Sequence, residues 1–221
     1  MIEAAIFDID GTLIDSVDAH AQAWVEGLKR HGFAVDYETV RRQIGKGSDQ
    51  LLPVFLSPGD LEAFGPVIEA TQGEIFKERY QAAIQPFRGV RELFERLRGD
   101  GVTCVLASSG KAKDVSINER IAGVDGLVDA VVTSEDVDRS KPAPDIVHAA
   151  LKRIAPTPAA RCVFIGDTPY DAEAAIRAGV STVGVLGGGF DDTELKASGC
   201  TAVYRDVKDL LDHYDDLVGR H

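Results

Sequence analysis

Five short apolar runs constrain this chain more than any other feature: Ala4–Phe7, Val102–Ala107, Ala130–Thr133, Cys162–Ile165 and Thr182–Val185. Unbroken apolar runs of this length suit strands buried on both faces, as in a parallel sheet. Between them lie segments of helical period, Val90–Leu97, Ile146–Ile154, Ala172–Ala178 and Val207–Leu217. Strand and helix in steady alternation specify an α/β fold, a doubly wound, mostly parallel, Rossmann-like sheet with helices on both faces. Ligands of such sheets gather beyond the carboxyl ends of the strands.

One stretch breaks the rhythm. Between Asp15 and Pro86 there is helical pattern and no strand. Val17, Ala21, Trp24, Val25 and Leu28 line one helical face that ends at His31-Gly32, and Asp36–Ile44 and Leu51–Phe55 continue in helical period. Leu61–Ile84 reads as one helix or two. The chain therefore divides into a catalytic core, 1–14 with 87–221, and an inserted helical cap domain, 15–86, packed over the active face. At 221 residues it can bury one full core and a smaller accessory unit.

Four strand-to-helix junctions carry chemistry. The first is Phe7-Asp8-Ile9-Asp10-Gly11-Thr12-Leu13. Residues two apart on a strand point the same way, so Asp8 and Asp10 project into one small volume. Like charges that close are costly unless a cation, a proton or a phosphate-handling task offsets them. Gly11 permits a sharp turn and Thr12 adds a hydroxyl. The second junction is Ser108-Ser109-Gly110-Lys111, whose hydroxyls and backbone N–H groups suit an anion, and which also reads as an ordinary cap and turn. In the third, Ser140-Lys141-Pro142-Ala143-Pro144-Asp145, Pro144 and Asp145 fit a helix start, while two prolines stiffen the backbone around Lys141. A fixed ammonium there offsets a carboxylate pair; a plain surface lysine is the alternative. The fourth is Gly166-Asp167-Thr168-Pro169-Tyr170-Asp171, two acids framing a strand tip in the manner of a hard-cation site. All four fall on one edge of one sheet, which favours a metal and phosphate site over four unrelated caps.

The formal charge of −12 argues against nucleic acid and anionic membranes, which demand a basic face, and leaves a small phosphorylated metabolite open. Cys104 and Cys162 lie in apolar runs, far from each other and from Cys200, and read as buried thiols. With no basic n-region and no long apolar segment, the expected location is cytoplasmic. Monomer and homodimer both stay open.

The ordered set Asp8-Ile9-Asp10-Gly11-Thr12, Ser108, Lys141 and Gly166-Asp167-Thr168-Pro169-Tyr170-Asp171 resembles the haloacid dehalogenase-like hydrolase superfamily. More narrowly, it is similar to the phosphoglycolate phosphatase and β-phosphoglucomutase branch, whose helical cap is inserted after the first strand. The likeness covers nearly the whole chain, including Gly187–Phe190 and Gly199–Tyr204, and is specific for the superfamily rather than the substrate. It implies a Mg²⁺-dependent phosphatase acting on a small phosphomonoester, of phosphoglycolate or sugar phosphate type, through an aspartyl-phosphate. By that resemblance Asp8 is the nucleophile, and Asp10 is the general acid and then the general base. Asp8, the Asp10 carbonyl and Asp167 hold Mg²⁺, with Asp171 in support. Gly11, Thr12, Ser108, Ser109 and Lys141 surround the phosphate. Four carboxylates against one metal and one lysine should push one carboxyl pKa up, and the expected one is Asp10. In the cap, His20 and Lys46 are candidates for reading the leaving group, with a packing histidine and a solvated loop lysine as alternatives. Arg41, Arg42, Lys77 and Arg79 read as charges decorating helix faces.

A β-phosphoglucomutase-like sugar-phosphate mutase is the nearest rival, and His20 matches that subgroup's cap histidine. Such mutases grip a second phosphate with an arginine after the loop serine; here Ser48 precedes Asp49, whose charge opposes that grip. Dehalogenation requires neither the metal nor the second aspartate. A catalytically idle binding protein on the same fold is the remaining class, and no chemical residue is missing to recommend it.

Overall fold

The computed structural model describes residues 1–219. Its strands are β1 (Ala4–Phe7), β2 (Thr103–Ala107), β3 (Ala130–Val132), β4 (Cys162–Gly166), β5 (Ser181–Val185) and β6 (Ala202–Tyr204). They form one parallel sheet in the order β3-β2-β1-β4-β5-β6. β1 is central, with Phe7 in register with Leu106 on one side and Ile165 on the other. The order reverses between β1 and β4, so the tips of those two strands flank the crevice where open α/β sheets bind ligands.

Directly after β1 come α1 (Val17–Arg30), α2 (Tyr37–Arg41), α3 (Ser48–Leu51) and α4 (Pro58–Arg79). Val17, Trp24, Leu28, Leu51 and Ile68 form an apolar cluster belonging to this insertion, while Ala23, Ile75 and Phe76 pack with the cluster under the sheet. The entering and leaving segments lie side by side: Asp15 N–H donates to Gln85 O and Phe87 N–H to Leu13 O, both at 2.9 Å. The remaining helices are α5 (Val90–Gly99), α6 (Ala112–Ile121), α7 (Asp145–Arg153), α8 (Pro169–Arg177), α9 (Asp192–Ala197), α10 (Val207–Asp212) and α11 (Tyr214–Val218).

The period of two along β1 sorts its side chains between two layers. Ala5 and Phe7 pack with Phe94, Leu97, Leu106 and Leu210, under α5, α10 and α11. Ala4 and Ile6 pack with Ile146, Val147, Phe164 and Ala174, under α7 and α8. The expected doubly wound fold is present. Three local expectations differ. β6 and α6 were not signalled by the apolar pattern. Val207–Leu217 is two helices meeting at His213, and Leu61–Ile84 is mostly one helix with Pro66 inside it. Among the described residues no helix is long and apolar enough to cross a membrane.

Candidate active site

β1 and β4 stay hydrogen-bonded through Asp8, whose N–H donates to Ile165 O at 2.9 Å, so Asp8 and Asp167 emerge together at the sheet edge. Their surroundings are dry: Asp8 is 2% exposed, Asp171 1%, Asp167 and Lys141 0%. Lys141 is thus no surface lysine. Its Nζ donates to Asp8 Oδ1 at 2.6 Å and to Asp171 Oδ1 at 2.7 Å. The other Asp171 oxygen, Oδ2, accepts from Thr168 N and Thr168 Oγ1 in a capping box at the start of α8. Asp167 Oδ1 accepts from Thr12 Oγ1 at 2.6 Å.

Among the described residues two buried carboxylate oxygens are left without a partner, Asp8 Oδ2 and Asp167 Oδ2. One oxygen each from Asp8, Asp167 and Asp171 can be chosen so that all lie within 4.8 Å of one another. Glycines wall this space: a Cβ on Gly11 would come within 2.2 Å of Asp167 Oδ2, and one on Gly188 within 2.3 Å. Gly11 also holds φ at +83°, where other residues are strained. Burial pushes the Asp8 carboxyl up to about 7, with Asp171 and Asp10 adding and Lys141 opposing. Burial, and then the charges of Asp171 and Asp8, hold Asp167 well above the usual carboxylate value. Burial works against the Lys141 charge, but Asp171 and Asp8 overcome it and raise its pKa. Unpartnered buried polar atoms in a native fold ask for an explanation. Here the donors are all carboxylate oxygens, with no thiol or imidazole, and they fit a hard divalent cation such as Mg²⁺.

Asp10 departs from expectation. Burial alone would raise its pKa, but the His20 charge, hydrogen bonds from His20 and Ser16, and the Lys141 charge prevail and lower it. The expected rise falls on Asp8 and Asp167 instead. The reason is where the side chain points. Asp10 Oδ1 accepts from Ser16 Oγ at 2.6 Å and faces His20 Nε2 at 3.2 Å, while the crowding of carboxylates lies at Asp8. Ser16 stands at the N-cap of α1 yet makes no capping bond; its hydroxyl is diverted to Asp10. Gln72 Nε2 lies 3.4 Å from His20 Nδ1, and the His20 ring stacks on Phe76 with centroids 3.9 Å apart.

Asp8, Asp10, His20, Lys46, Ser108 and Ser109 all line one cleft of about 410 Å³ between the insertion and the sheet edge. Gly11 and Thr12 do not. The Gly11 N–H closes on Ile14 O and the Thr12 N–H on Ile9 O, while the Thr12 hydroxyl serves Asp167; these donors are committed within the turn. Ser108 Oγ accepts from Gly110 N, and Ser109 Oγ donates to Gly45 O on the insertion. The Lys46 ammonium donates to Gln43 Oε1 at 2.6 Å and lies 4.5 Å from the Tyr170 ring centroid.

Arg41 and Arg42 are not mere decoration. Arg41 pairs with Asp18 and donates to Gly188 O, and Arg42 pairs with Glu194 and covers the Phe190 ring, so both tie insertion to core. Asp49 is a further tie that no sequence pattern signalled. Its carboxylate accepts from the Ser140 N–H at 3.1 Å and from the Ser140 hydroxyl, and Gly47 N–H donates to Ser140 Oγ at 3.0 Å. The residue gripped is the immediate neighbour of Lys141. Cys104 and Cys162 are buried, as expected, and so is Cys200; among the described residues none of the three is in a disulfide.

The haloacid dehalogenase-like hydrolase family profile matches residues 5–185. Hexitol phosphatase A of Escherichia coli is 30% identical over 185 residues, covering 81% of each chain. A phosphoglycolate phosphatase of Rhodobacter capsulatus is 28% identical over 95% of both. Among solved structures, the crystal structure of a hydrolase from Pseudomonas syringae superposes with a TM-score of 0.89 at 32% identity, covering 97% of this chain and 98% of that one.

Proposed function

The chain belongs to the haloacid dehalogenase-like hydrolase family, on its phosphoglycolate phosphatase and β-phosphoglucomutase branch, and we propose that it is a Mg²⁺-dependent phosphatase working through an aspartyl-phosphate on Asp8. At the coarser level it is a phosphoric monoester hydrolase acting on small phosphorylated compounds. The finer reading rests on one observation: Asp8 and Asp167 each turn an unpartnered, buried oxygen into the same glycine-walled space.

In this reading Asp8 and Asp167, with the Asp10 carbonyl, hold Mg²⁺. When bound, the ion neutralises carboxylate charge and polarises a phosphate oxygen. Lys141, fixed between Asp8 and Asp171, keeps Asp8 oriented and ionised for attack on phosphorus. Asp171 acts by holding Lys141, since both its oxygens are already engaged. Ser108 and Ser109 receive the phosphate oxygens. Asp10 serves as acid to the leaving oxygen and then as base to water. Its depressed resting pKa suits the base step; an arriving phosphate dianion raises it toward the acid step. His20 and Ser16 fix the carboxylate in place for both.

The 15–86 insertion acts as a cap over this site, entering and leaving at the paired segments around Asp15 and Gln85. Its substrate is a small phosphomonoester of phosphoglycolate or sugar phosphate type. A cytoplasmic setting agrees with three unpaired cysteines, and the active unit is a monomer or homodimer. The test is phosphate release from a panel of phosphomonoesters with Mg²⁺ and with chelator, for wild type and Asp8→Asn. Release that needs Mg²⁺ and is lost in Asp8→Asn supports the reading; equal release by the variant removes Asp8 from its role.

A further inference from the structure

Glycine inside a helix is unfavourable, because it gives up the most backbone freedom and packs nothing. α4 carries one at Gly73, well inside the helix, where the ordinary reasons for a glycine are missing. Its φ is not positive, and a Cβ built on it would meet no atom within 4 Å among the described residues. Every other glycine with such open space holds a positive φ or stands in the first or last turn of a helix. The remaining interior helix glycines are crowded. Gly27 in α1 lets α4 pass close by, with Gln72 Cβ 3.4 Å from where its own would lie, and Gly65 has Leu61 Cδ1 at 3.2 Å.

What Gly73 faces is the cleft. Glu69, Phe76 and Lys77, three or four positions away on α4, share its face and line the cleft with it. Phe76 stacks on His20, the neighbouring Gln72 lies 3.4 Å from the same ring, and His20 faces Asp10 at 3.2 Å. The open space at Gly73 therefore adjoins the arm that holds Asp10, the group assigned to the leaving oxygen. A side chain there would take room from the cleft of about 410 Å³ and collide with nothing in the fold.

We propose that Gly73 is a specificity-determining residue: its missing side chain admits the body of a large leaving group, and a bulky residue there restricts the enzyme to small ones. This rests on the phosphatase reading above. The test measures kcat/KM, with Mg²⁺, for glucose 6-phosphate, with phosphoglycolate as the small substrate and inorganic phosphate as a competitive inhibitor. Gly73→Leu should cut kcat/KM for glucose 6-phosphate about tenfold or more, chiefly through KM. Phosphoglycolate turnover and the inhibition constant of phosphate should stay within about twofold, and the variant should melt no lower than wild type. Gly73→Ala should raise the melting temperature by about 2–4 °C and keep glucose 6-phosphate turnover within about twofold.

Wild-type turnover of phosphoglycolate or p-nitrophenyl phosphate with glucose 6-phosphate refused overturns the proposal, because the open space then admits no large group. So does a Gly73→Leu variant that handles glucose 6-phosphate as wild type does. Equal losses on both substrates, or a weakened grip on inorganic phosphate, also overturn it, since they mark a disturbed site rather than a narrowed one. If wild type hydrolyses none of the three phosphomonoesters, the phosphatase reading itself fails, which separates the two failures.

Discussion

The buried acidic cluster and the seam between insertion and core hold charge in opposite ways. In the cluster, Asp8, Lys141, Asp167 and Asp171 are at most 2% exposed and lean on one another across long stretches of chain. Where the insertion meets the core, the Glu69–Lys111 pair is 30% and 59% exposed and the Arg42–Glu194 pair 43% and 36%. Buried charges are unscreened, so deleting one partner strands the other at a cost of about 3–5 kcal/mol. Exposed pairs are screened by water and salt and are worth about 1 kcal/mol or less. The contrast separates two jobs. In the proposed reading the reacting groups are held by buried contacts, whereas side chains at the seam can be exchanged with little loss of fold.

The sharpest way to break this contrast is Lys141→Met. It leaves Asp8 and Asp171 buried without their cation and should cost about 3–5 kcal/mol in chemical denaturation, besides activity. A loss no larger than that of an exposed pair would erase the distinction.

Asp8→Asn should act in the other direction on stability. The folded Asp8 carboxyl is raised from 3.8 to about 7, so over that window the folded chain keeps a proton that the unfolded chain has lost. In chelator, wild-type stability should therefore fall as pH rises from about 4 to 7. Asp8→Asn, neutral throughout, should melt higher than wild type at pH 8, with the gain vanishing near pH 4. A variant less stable than wild type at pH 8 would show that Lys141 needs Asp8 more than Asp8 is harmed by burial.

Asp49→Ala should sharpen the comparison at the point where the seam meets the cluster. It frees Ser140, the neighbour of Lys141, and should lower kcat about tenfold with little change in KM or melting temperature. Asp49→Asn, which keeps one acceptor, should recover part of that loss. The smallest effect belongs to Arg42→Ala, about 1 kcal/mol or less by thermal unfolding, despite its ion pair with Glu194 and its place over Phe190.

Much of this was legible in the sequence, for identifiable reasons. Five strands announced themselves as apolar runs because a parallel sheet buries both faces. β6 did not: Ala202–Tyr204 is three half-buried residues at the sheet edge. α6 buries only Val115 and Asn118, too few to write a helical stripe. At the site, the spacing of Asp8 and Asp10 and the strand tip before Asp167 identified the acidic edge. What spacing could not convey was which partner each group takes. Thr12 turns to Asp167, 155 residues away, and Asp49 reaches Ser140, 91 residues away. The Asp10 environment is assembled from Ser16 and His20 on one helix start and Gln72 on another helix. The expectation about its pKa failed on that account. Charge counted over a whole site does not say which carboxylate bears it.

Calorimetric titration of Mg²⁺ into wild type, Asp167→Asn and Asp10→Asn puts the unpartnered oxygens to the test most directly. One ion should bind per wild-type chain, Asp167→Asn should weaken it by about 100-fold or more, and Asp10→Asn, which keeps its backbone carbonyl, should bind nearly as wild type. Undiminished binding by Asp167→Asn would contradict the account, because the space between Asp8 and Asp167 would then not be where the metal sits.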